Sequence, residues 1–193
     1  MSKIKWKGST LLAPVPAVLV TCGDEERSNV FTAAWTGIIN SQPPKLYVSI
    51  RPERLSHEII SEKREFAVNL VSAPLIRACD HCGVRSGRDE DKFAVCSLDR
   101  EGATEISAPL IAQSPLSIEC RVTDIIPRGS HDMFIAAIVA VDVDEELIDA
   151  DGKLHLEKAQ LTAYTHGEYF ALGKKLGSFG FSVKKPRKKR KGN

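Results

Sequence analysis

The sequence predicts a mainly β protein with inserted helices, arranged as a β-barrel, and three observations lead to this prediction. Short apolar segments rich in Val, Ile, Leu and Ala recur along the chain and are separated by turn-forming residues. A few segments with helical periodicity interrupt them. No internal repeat or linker divides the 193 residues, so we expect one domain with a sizeable core.

The first half of the chain alternates predicted strands with short helices. Strands are predicted at residues 11–21, 31–39, 46–50 and 65–70. Helices are predicted at residues 55–63 and 73–81, with Ser56 and Ser72 as candidate N-caps. The Pro43-Pro44 pair marks the turn between the second and third strands.

The second half is richer in strands. Polar residues at 85–91 indicate an exposed loop, and a short helical turn follows at Lys92. Residues 118–126 and 133–143 are predicted to form an antiparallel pair, joined by a turn at 128–131. A segment at 163–170 then brings two tyrosines close to a histidine.

Charge is distributed unevenly along the chain. The last ten residues carry seven positive charges, and subtracting these from the net charge of +2 leaves the rest of the chain at −5. We therefore divide the chain into a folded domain at 1–180 and a basic tail at 181–193, which we expect to be disordered. The tail has no aromatic residue for base stacking among its basic residues, so only weak, non-specific polyanion contact is expected.

The cysteines and the lengths of the apolar runs indicate the cellular compartment. Five cysteines, an odd number, without a signal-peptide profile favour reduced thiols and a cytoplasmic location. No apolar run has the ~20 residues that a membrane-spanning helix needs, so no membrane insertion is expected. Cys79 and Cys82 have CxxC spacing but no second pair, so we predict no metal site; dithiol chemistry stays open.

The chain's most informative stretch is 29–56. Two apolar segments are followed by a patch of hydroxyls and guanidinium groups just before a predicted helix N-terminus, which together make a plausible phosphate seat: Ser49, Arg51, Arg54 and Ser56. The small residues Thr32, Ala33 and Ala34 would let a flat ligand approach the backbone. A β-hairpin with a solvated polar end explains the spacing equally well.

A resemblance favours the ligand site. The run SNVFTAAWTGIINSQPPKLYVSIRPERLSHEII at 28–60 resembles the flavin reductase-like family, the FMN-binding split barrels that include flavoredoxin. Further matches, in the same order along the chain, are FAVNL at 66–70, CGVRSGRD at 82–89, DKF at 91–93 and GSHD at 129–132. The resemblance extends over about residues 6–173 and implies a split β-barrel that binds FMN.

The resemblance also implies roles for individual residues. Those lining the isoalloxazine ring would be Thr32, Ala33, Ala34 and Trp35. The phosphate would be held by the segment that contains Ser49, Ile50, Arg51, Arg54 and Ser56. Asn69 and Leu70 would lie beside it, and Ser86, Gly87 and Lys92 would close over the cofactor. A second wall would comprise Tyr164, His166 and Tyr169.

Among the histidines, the resemblance places His131 near a nicotinamide, which makes it the candidate catalytic residue. Each of these residues also has a purely structural interpretation: Ser56 as a helix cap, Trp35 as a core aromatic, His131 as a solvated turn residue. His57 and His155 are expected to be exposed, and the sequence assigns no role to His81.

The implied function is an FMN-binding oxidoreductase, acting as a homodimer, that passes a hydride from NAD(P)H to FMN and electrons on to a flavin, metal or protein acceptor. One alternative is a flavoredoxin-like electron carrier that a partner protein reduces. Another is a non-catalytic flavin- or nucleic-acid-binding module that uses the basic tail. The absence of GxGxxG, Walker, nucleophile-elbow and HExxH motifs removes the common Rossmann and hydrolase alternatives. The donor and the acceptor stay open.

Overall fold

The computed structural model describes residues 1–183; most of the predicted basic tail, residues 184–193, lies outside the described residues. The strands are β1 Val18–Gly23, β2 Ser28–Ala33, β3 Thr36–Ser41, β4 Pro44–Ile50, β5 Glu65–Leu70, β6 Arg100–Glu101, β7 Leu110–Ile111, β8 Leu116–Pro127, β9 Asp132–Val143, β10 Thr162–Thr165 and β11 Glu168–Ala171. The helices are α1 Leu55–Lys63, α2 Ile76–Val84 and α3 Lys92–Val95. Short 3₁₀ helices lie at Ala73–Leu75, Glu145–Leu147, Leu156–Lys158 and Phe181–Val183.

Seven strands form one antiparallel sheet in the order β2-β1-β5-β8-β9-β4-β3. Its two edge strands, β2 and β3, are consecutive in the chain and only Ala34 and Trp35 separate them. The sheet must therefore curl until its edges nearly meet, which makes a barrel. In the described part of the chain no ladder joins β2 to β3, so the barrel is split at this seam. The predicted fold class is confirmed.

The core has two parts because β1 is buried on both faces. Val18 and Val20 point into the barrel, where they pack with residues of β4, β5, β9 and α1. Leu19 points the other way and packs against Cys79 and Cys82 of α2. Alternation along a strand places successive side chains on opposite faces, so a strand buried on both faces appears as an unbroken apolar run.

Several predicted boundaries were wrong. The first strand begins at Val18, well after 11, because Pro14 and Pro16 cannot donate to a ladder. The predicted strand at 31–39 is two strands, broken at the seam. The predicted helix at 73–81 is a 3₁₀ turn followed by α2, which continues to Val84. The helix at 55–63 and the strand at 65–70 are confirmed.

Of the two predicted serine N-caps, Ser56 was wrong, and Ser72 occupies the N-cap position of the 3₁₀ turn without a side-chain cap bond. The N-cap of α1 is Arg54, without a side-chain cap, and Ser56 lies inside the helix. In contrast, Asp91 does cap α3: its carboxylate accepts from the N–H groups of Phe93 and Ala94.

A buried carboxylate anchors the loop before β7. Glu119 of β8 is fully buried and accepts four hydrogen bonds, from the N–H and hydroxyl of Thr104 and the N–H groups of Glu105 and Ile106. Burial opposes its charged form, but these bonds outweigh it and hold the pKa of Glu119 below its usual range. Asp142 carries a buried Oδ2 that has no hydrogen-bond partner among the described residues; burial and the charge of Glu119 raise the pKa of Asp142 to about 6.

The cysteines are unpaired, as predicted: each of the five is a free thiol. Burial raises the pKa of Cys79 to about 11 and that of Cys82 to about 12, so both stay protonated near neutral pH. Among the described residues, no group of three or more His, Cys, Asp or Glu side chains is placed to hold a metal ion. None of the helices in residues 1–183 has the length and apolar character to cross a membrane.

Candidate functional site

An open cavity of about 480 Å³ lies at the barrel seam. Four parts of the chain surround it: the β2–β3 junction, the end of β4, one face of α2 and the β10–β11 hairpin. The turn between β8 and β9 also reaches the cavity, through His131. Its lining residues are Ala17, Thr32, Ala33, Ala34, Trp35, Ser49, Arg51, Asp80, Gly83, Val84, His131, Tyr164, Gly167 and Tyr169.

The β2–β3 junction forms a wall of small residues. Ala33 ends β2 and Thr36 begins β3, so the N–H groups of Ala34 and Trp35 lie outside the strand ladders. The carbonyl of Trp35 accepts from the N–H of Ser49 at 2.9 Å, which ties the junction to β4. Small side chains beside ladder-free N–H groups suit a flat ligand that needs hydrogen-bond donors close to the backbone.

The turn between β8 and β9 brings His131 to the mouth of the cavity. The N–H of Arg128 donates to the carbonyl of His131 at 2.9 Å and closes the turn. The imidazole lies against the indole of Trp35, with ring centroids 4.7 Å apart and planes inclined by 46°. Burial, and then the charge of Arg51, lower the pKa of His131, so its neutral form is favoured near pH 7.

Two arginines follow β4 at the same end of the barrel. Arg51 lines the cavity with its side chain 53% exposed, and its nearest acidic partner, Glu53, is 3.7 Å away. Arg54 reaches across to α2, where its guanidinium donates to the carbonyl of Gly83 at 3.3 Å. Arg51 is thus available to an anionic ligand, whereas Arg54 already supports a wall of the cavity.

The face of α2 that lines the cavity carries Asp80, Gly83 and Val84, which are spaced i, i+3 and i+4. A Cβ at Gly83 would lie 3.3 Å from the Cβ of Thr32, so glycine permits close packing of α2 on β2. The hydroxyl of Thr32 donates to the carbonyl of Cys79 and fixes the same contact.

The β10–β11 hairpin closes the remaining side. Tyr164 and Tyr169 are cross-strand partners, and their ring centroids are 5.3 Å apart. The hydroxyl of Tyr169 donates to Asp80 at 3.2 Å, which joins the hairpin to α2. Burial raises the pKa of Tyr169, so this hydroxyl stays protonated and keeps its donor role.

The structure brings most of the predicted site residues together. Those that line the cavity are Thr32, Ala33, Ala34, Trp35, Ser49, Arg51, His131, Tyr164 and Tyr169. Arg54 borders it through Gly83. Their binding roles remain predictions.

Four other predicted residues lie in the interior. Ile50 packs in the barrel core, and Leu70 packs against that core. Ser56 is buried and its hydroxyl accepts from the amide of Asn29 at 2.7 Å. Asn69 is fully buried and accepts from the N–H of Ile111 at 3.0 Å, so it joins β5 to β7. Each has a structural role and none lines the cavity.

The predicted closing segment and His166 also lie off the cavity. Lys92 is 3% exposed and donates to the carbonyls of Cys82 at 3.2 Å and Arg85 at 3.4 Å, at the C-terminal end of α2. Gly87 packs against the amide of Asn29, and Ser86 accepts from the N–H of Arg88. His166 occupies the hairpin turn with a φ of 42°, exposed, while its neighbour Gly167 lines the cavity.

The prediction that His57 and His155 are exposed was wrong. Each side chain is 17% exposed and each Nε2 pairs with an aspartate: His57 with Asp132 at 2.8 Å, and His155 with Asp149 at 2.7 Å. His81 pairs with Glu90 at 2.5 Å. These partners are 6 to 75 residues away in sequence, which local patterns do not reveal.

Sequence reasoning also missed five lining residues: Ala17, Asp80, Gly83, Val84 and Gly167. Three of them share a face of α2, so helical periodicity could have found them.

Small residues at the seam, an exposed arginine and a pair of tyrosines line one cavity at one end of the split barrel. The chain belongs to the flavin reductase like domain family, whose model matches residues 11–173. It is similar in structure to flavoredoxin of Desulfovibrio vulgaris (Miyazaki F), with a TM-score of 0.88, 32% identity, and coverage of 95% of this chain and 100% of that one. It is also similar to flavoredoxin from Methanosarcina acetivorans, with a TM-score of 0.85, 25% identity, and coverage of 95% of this chain and 100% of that one.

A similarity to a flavin oxidoreductase accompanies these structural neighbours. The NADPH-flavin oxidoreductase of Streptomyces viridifaciens is 25% identical over 156 residues, which cover 77% of this chain and 78% of that protein. The family is therefore established, and it contains both flavoredoxins and oxidoreductases that act on flavins.

Proposed function

We propose that the cavity at the seam binds FMN and that the protein uses it to pass electrons from NAD(P)H to an acceptor. One observation carries the proposal: the small residues Ala33 and Ala34 and the exposed guanidinium of Arg51 line the same cavity. The names of the similar proteins, flavoredoxin and NADPH-flavin oxidoreductase, support the flavin class.

The residues present fit FMN. A cavity of about 480 Å³ lies within the ~300–1,000 Å³ typical of small-molecule sites. Ala33 and Ala34 leave room for a flat ring, and the ladder-free N–H groups of Ala34 and Trp35 can donate to it. Arg51 is the arginine that lines the cavity in the described residues, which suits one phosphate better than the two of FAD.

Bound FMN would supply the hydride and electron chemistry. The chain's own residues would orient and enclose the reactants. Trp35 and His131 form an aromatic edge at the mouth, where a nicotinamide ring could stack, and the neutral imidazole favoured at His131 avoids charge repulsion with the cationic ring that hydride loss produces. Asp80 holds Tyr169 in place as the opposite wall.

A second candidate is a flavoredoxin-like carrier that a partner protein reduces. The 32% identity to a flavoredoxin, over 95% of this chain, favours it. The two candidates share the cavity and differ in the electron donor, so cofactor binding alone does not separate them.

Two measurements on the purified protein test these proposals. The visible spectrum and chromatography of the heat-released cofactor identify the flavin; recovery of FAD alone, or no binding after reconstitution, would refute the FMN proposal. Anaerobic mixing of the FMN-loaded protein with NADH or NADPH then follows loss of the oxidised-flavin absorbance. Rapid bleaching supports the oxidoreductase, and no bleaching by either nucleotide supports the carrier.

We also propose a homodimer. The edge strand β3 exposes Ile38 (65%) and Ile39 (45%), and a register shift between Ile38 and Asn40 leaves Ile39 without a partner in β4. An edge strand with exposed apolar residues favours pairing with another chain, and two-fold pairs are the commonest assembly. Light scattering of the FMN-loaded protein at micromolar concentration would contradict the dimer if it gave the monomer mass of 21.2 kDa.

A further inference from the structure

His57 of α1 and Asp132 of β9 form a close, partly buried pair. His57 Nε2 lies 2.8 Å from Asp132 Oδ2, and the side chains are 17% and 16% exposed. The imidazole also meets the ring of Phe134 edge-on, with centroids 5.0 Å apart and planes at 84°. An imidazole held by both a carboxylate and an aromatic ring has a defined orientation.

The pair lies at the base of the turn that carries His131. Asp132 is the first residue of β9, directly after His131, and is opposite Ile50 in β4 and Pro127 in β8. His57 is in the first turn of α1, shortly after Arg51 and Arg54. The contact therefore links the helix that follows the arginines to the turn at the mouth of the cavity.

His131 needs such support because its own bonds are local. Within the described residues, its imidazole has one hydrogen bond, between Nδ1 and the hydroxyl of the adjacent Ser130, at 3.0 Å. The backbone bond from Arg128 closes the turn but does not connect it to the rest of the protein. The β4 and β8 ladders hold the backbone of Asp132 at the base of the turn, and the pair of its side chain with His57 adds a tie from the turn to α1.

We propose that His57 is a positioning residue: by binding Asp132, it holds the β8–β9 turn so that the imidazole of His131 lies against Trp35. The consequence for nicotinamide reduction of the flavin rests on the function proposed above. The positioning of His131 against Trp35 is independent of that function, because both rings belong to the chain.

The test uses Trp35 fluorescence in the flavin-free full-length protein. The sequence has two tryptophans, so Trp6→Phe, at an exposed position, leaves Trp35 as the reporter. A protonated imidazole in contact with an indole quenches its emission, so emission should fall as the pH is lowered through the pKa of His131. His131→Asn should abolish this transition and so assign it.

In this background, His57→Leu should reduce the amplitude of the transition at least twofold, because the turn is released. His57→Gln should retain most of it, since the amide Nε2 can still donate to Asp132. His155→Leu is the matched control: it removes another His–Asp pair whose histidine is also 17% exposed and which lies outside the β8–β9 turn. A full amplitude in folded His57→Leu, or an equal loss in His155→Leu, would overturn the proposal.

Asp132→Ala covers the case in which His57→Leu fails to fold, because by itself it should reduce the amplitude at least twofold. Where His57→Leu does fold, the two single variants should lose the same amplitude, and the double variant should lose no more than either of them. If Asp132→Ala retains the full amplitude, or the losses add, the pair does not position His131. None of these measurements uses flavin or nucleotide, so a failure of the oxidoreductase proposal leaves their result interpretable.

A final experiment measures the rate of flavin reduction by NAD(P)H in the same variants loaded with FMN. His57→Leu should slow reduction about tenfold with FMN affinity unchanged, and His57→Gln should restore most of the rate. An unchanged rate together with a reduced fluorescence amplitude would overturn the functional consequence and leave the positioning intact.

Discussion

The guanidinium of Arg54 donates to the carbonyl of Gly83, 3.3 Å away, and so joins the start of α1 to the α2 wall of the cavity. Gly83 in turn packs closely on Thr32 of β2. Arg54 therefore has a structural contact that Arg51 lacks, although both follow β4 and both were predicted to hold the phosphate.

This difference predicts distinct phenotypes for Arg54→Ala and Arg51→Ala. Loss of Arg54 frees the wall at Gly83, so it should weaken the binding of FMN and of riboflavin together, each by several-fold. Titration of both flavins measures this. An Arg54→Ala variant that weakens FMN tenfold and leaves riboflavin unchanged would instead assign Arg54 to the phosphate.

Lys92→Met tests whether Lys92 belongs to the fold or to the cofactor. The ammonium is buried and donates to two carbonyls at the end of α2, and burial lowers its pKa. Methionine would leave both carbonyls without that donor, so we expect a loss of about 2 kcal/mol in the free energy of unfolding. FMN affinity of the folded variant should not change.

The matched control for this prediction is Lys63→Met. Lys63 pairs with Asp24 at 2.7 Å, but its side chain is 39% exposed, so its loss should cost clearly less stability than the loss of Lys92. Urea denaturation of both variants gives the comparison. If Lys92→Met were as stable as the parent but bound FMN more weakly, Lys92 would instead be assigned to the cofactor site.

Asp142→Asn should change how stability depends on pH. The pKa of Asp142 is raised from 3.8 to about 6 in the fold, by burial and by Glu119. Between those values the folded state holds more protons than the unfolded state, so stability falls as the pH rises through this window. Above about pH 6 the whole penalty is present, and below 3.8 it is absent.

Asparagine removes the charge and can donate to Glu119. We therefore expect Asp142→Asn to be more stable than the parent by about 1–2 kcal/mol at pH 7–8, since solvent screens part of the charge repulsion. This gain in stability should vanish below pH 4. Unfolding in urea across this pH range measures it. A gain that is the same at pH 4 and pH 8 would show that the titration of Asp142 is not its origin.

Short-range patterns predicted the strands and helices of the first half of the chain, whereas the split barrel and most candidate site residues followed from the resemblance to the family. The apolar runs, the Pro43-Pro44 turn and the helix at 55–63 are visible within windows of about ten residues. The seam was harder to predict: β2 and β3 appear as one apolar strand, and the break at Ala34–Trp35 is set by pairing of β2 with β1 and of β3 with β4.

Roles that depend on long-range contacts were not predictable from local patterns. Ser56 has the sequence context of an N-cap, but its hydroxyl meets Asn29, 27 residues earlier. Asn69 lies next to a predicted site strand, yet its amide serves β7 and β8, through Ile111 and Ser117. His57 has the context of an exposed helix residue, and only the folded barrel brings Asp132 to it, 75 residues away.

The central claim is that the cavity at the seam binds FMN with its phosphate at Arg51. Titration of FMN and riboflavin into the parent and Arg51→Ala tests it most directly, with Arg121→Ala, which removes an arginine paired with Glu65 outside the cavity, as the control. Hydrogen bonds to a charged group contribute about 1.5–3 kcal/mol, so Arg51→Ala should weaken FMN binding roughly tenfold to a hundredfold. Riboflavin, which lacks the phosphate, should bind the two proteins alike, and Arg121→Ala should match the parent. Equal losses for FMN and riboflavin in Arg51→Ala, or no loss of either, would contradict this placement of the phosphate.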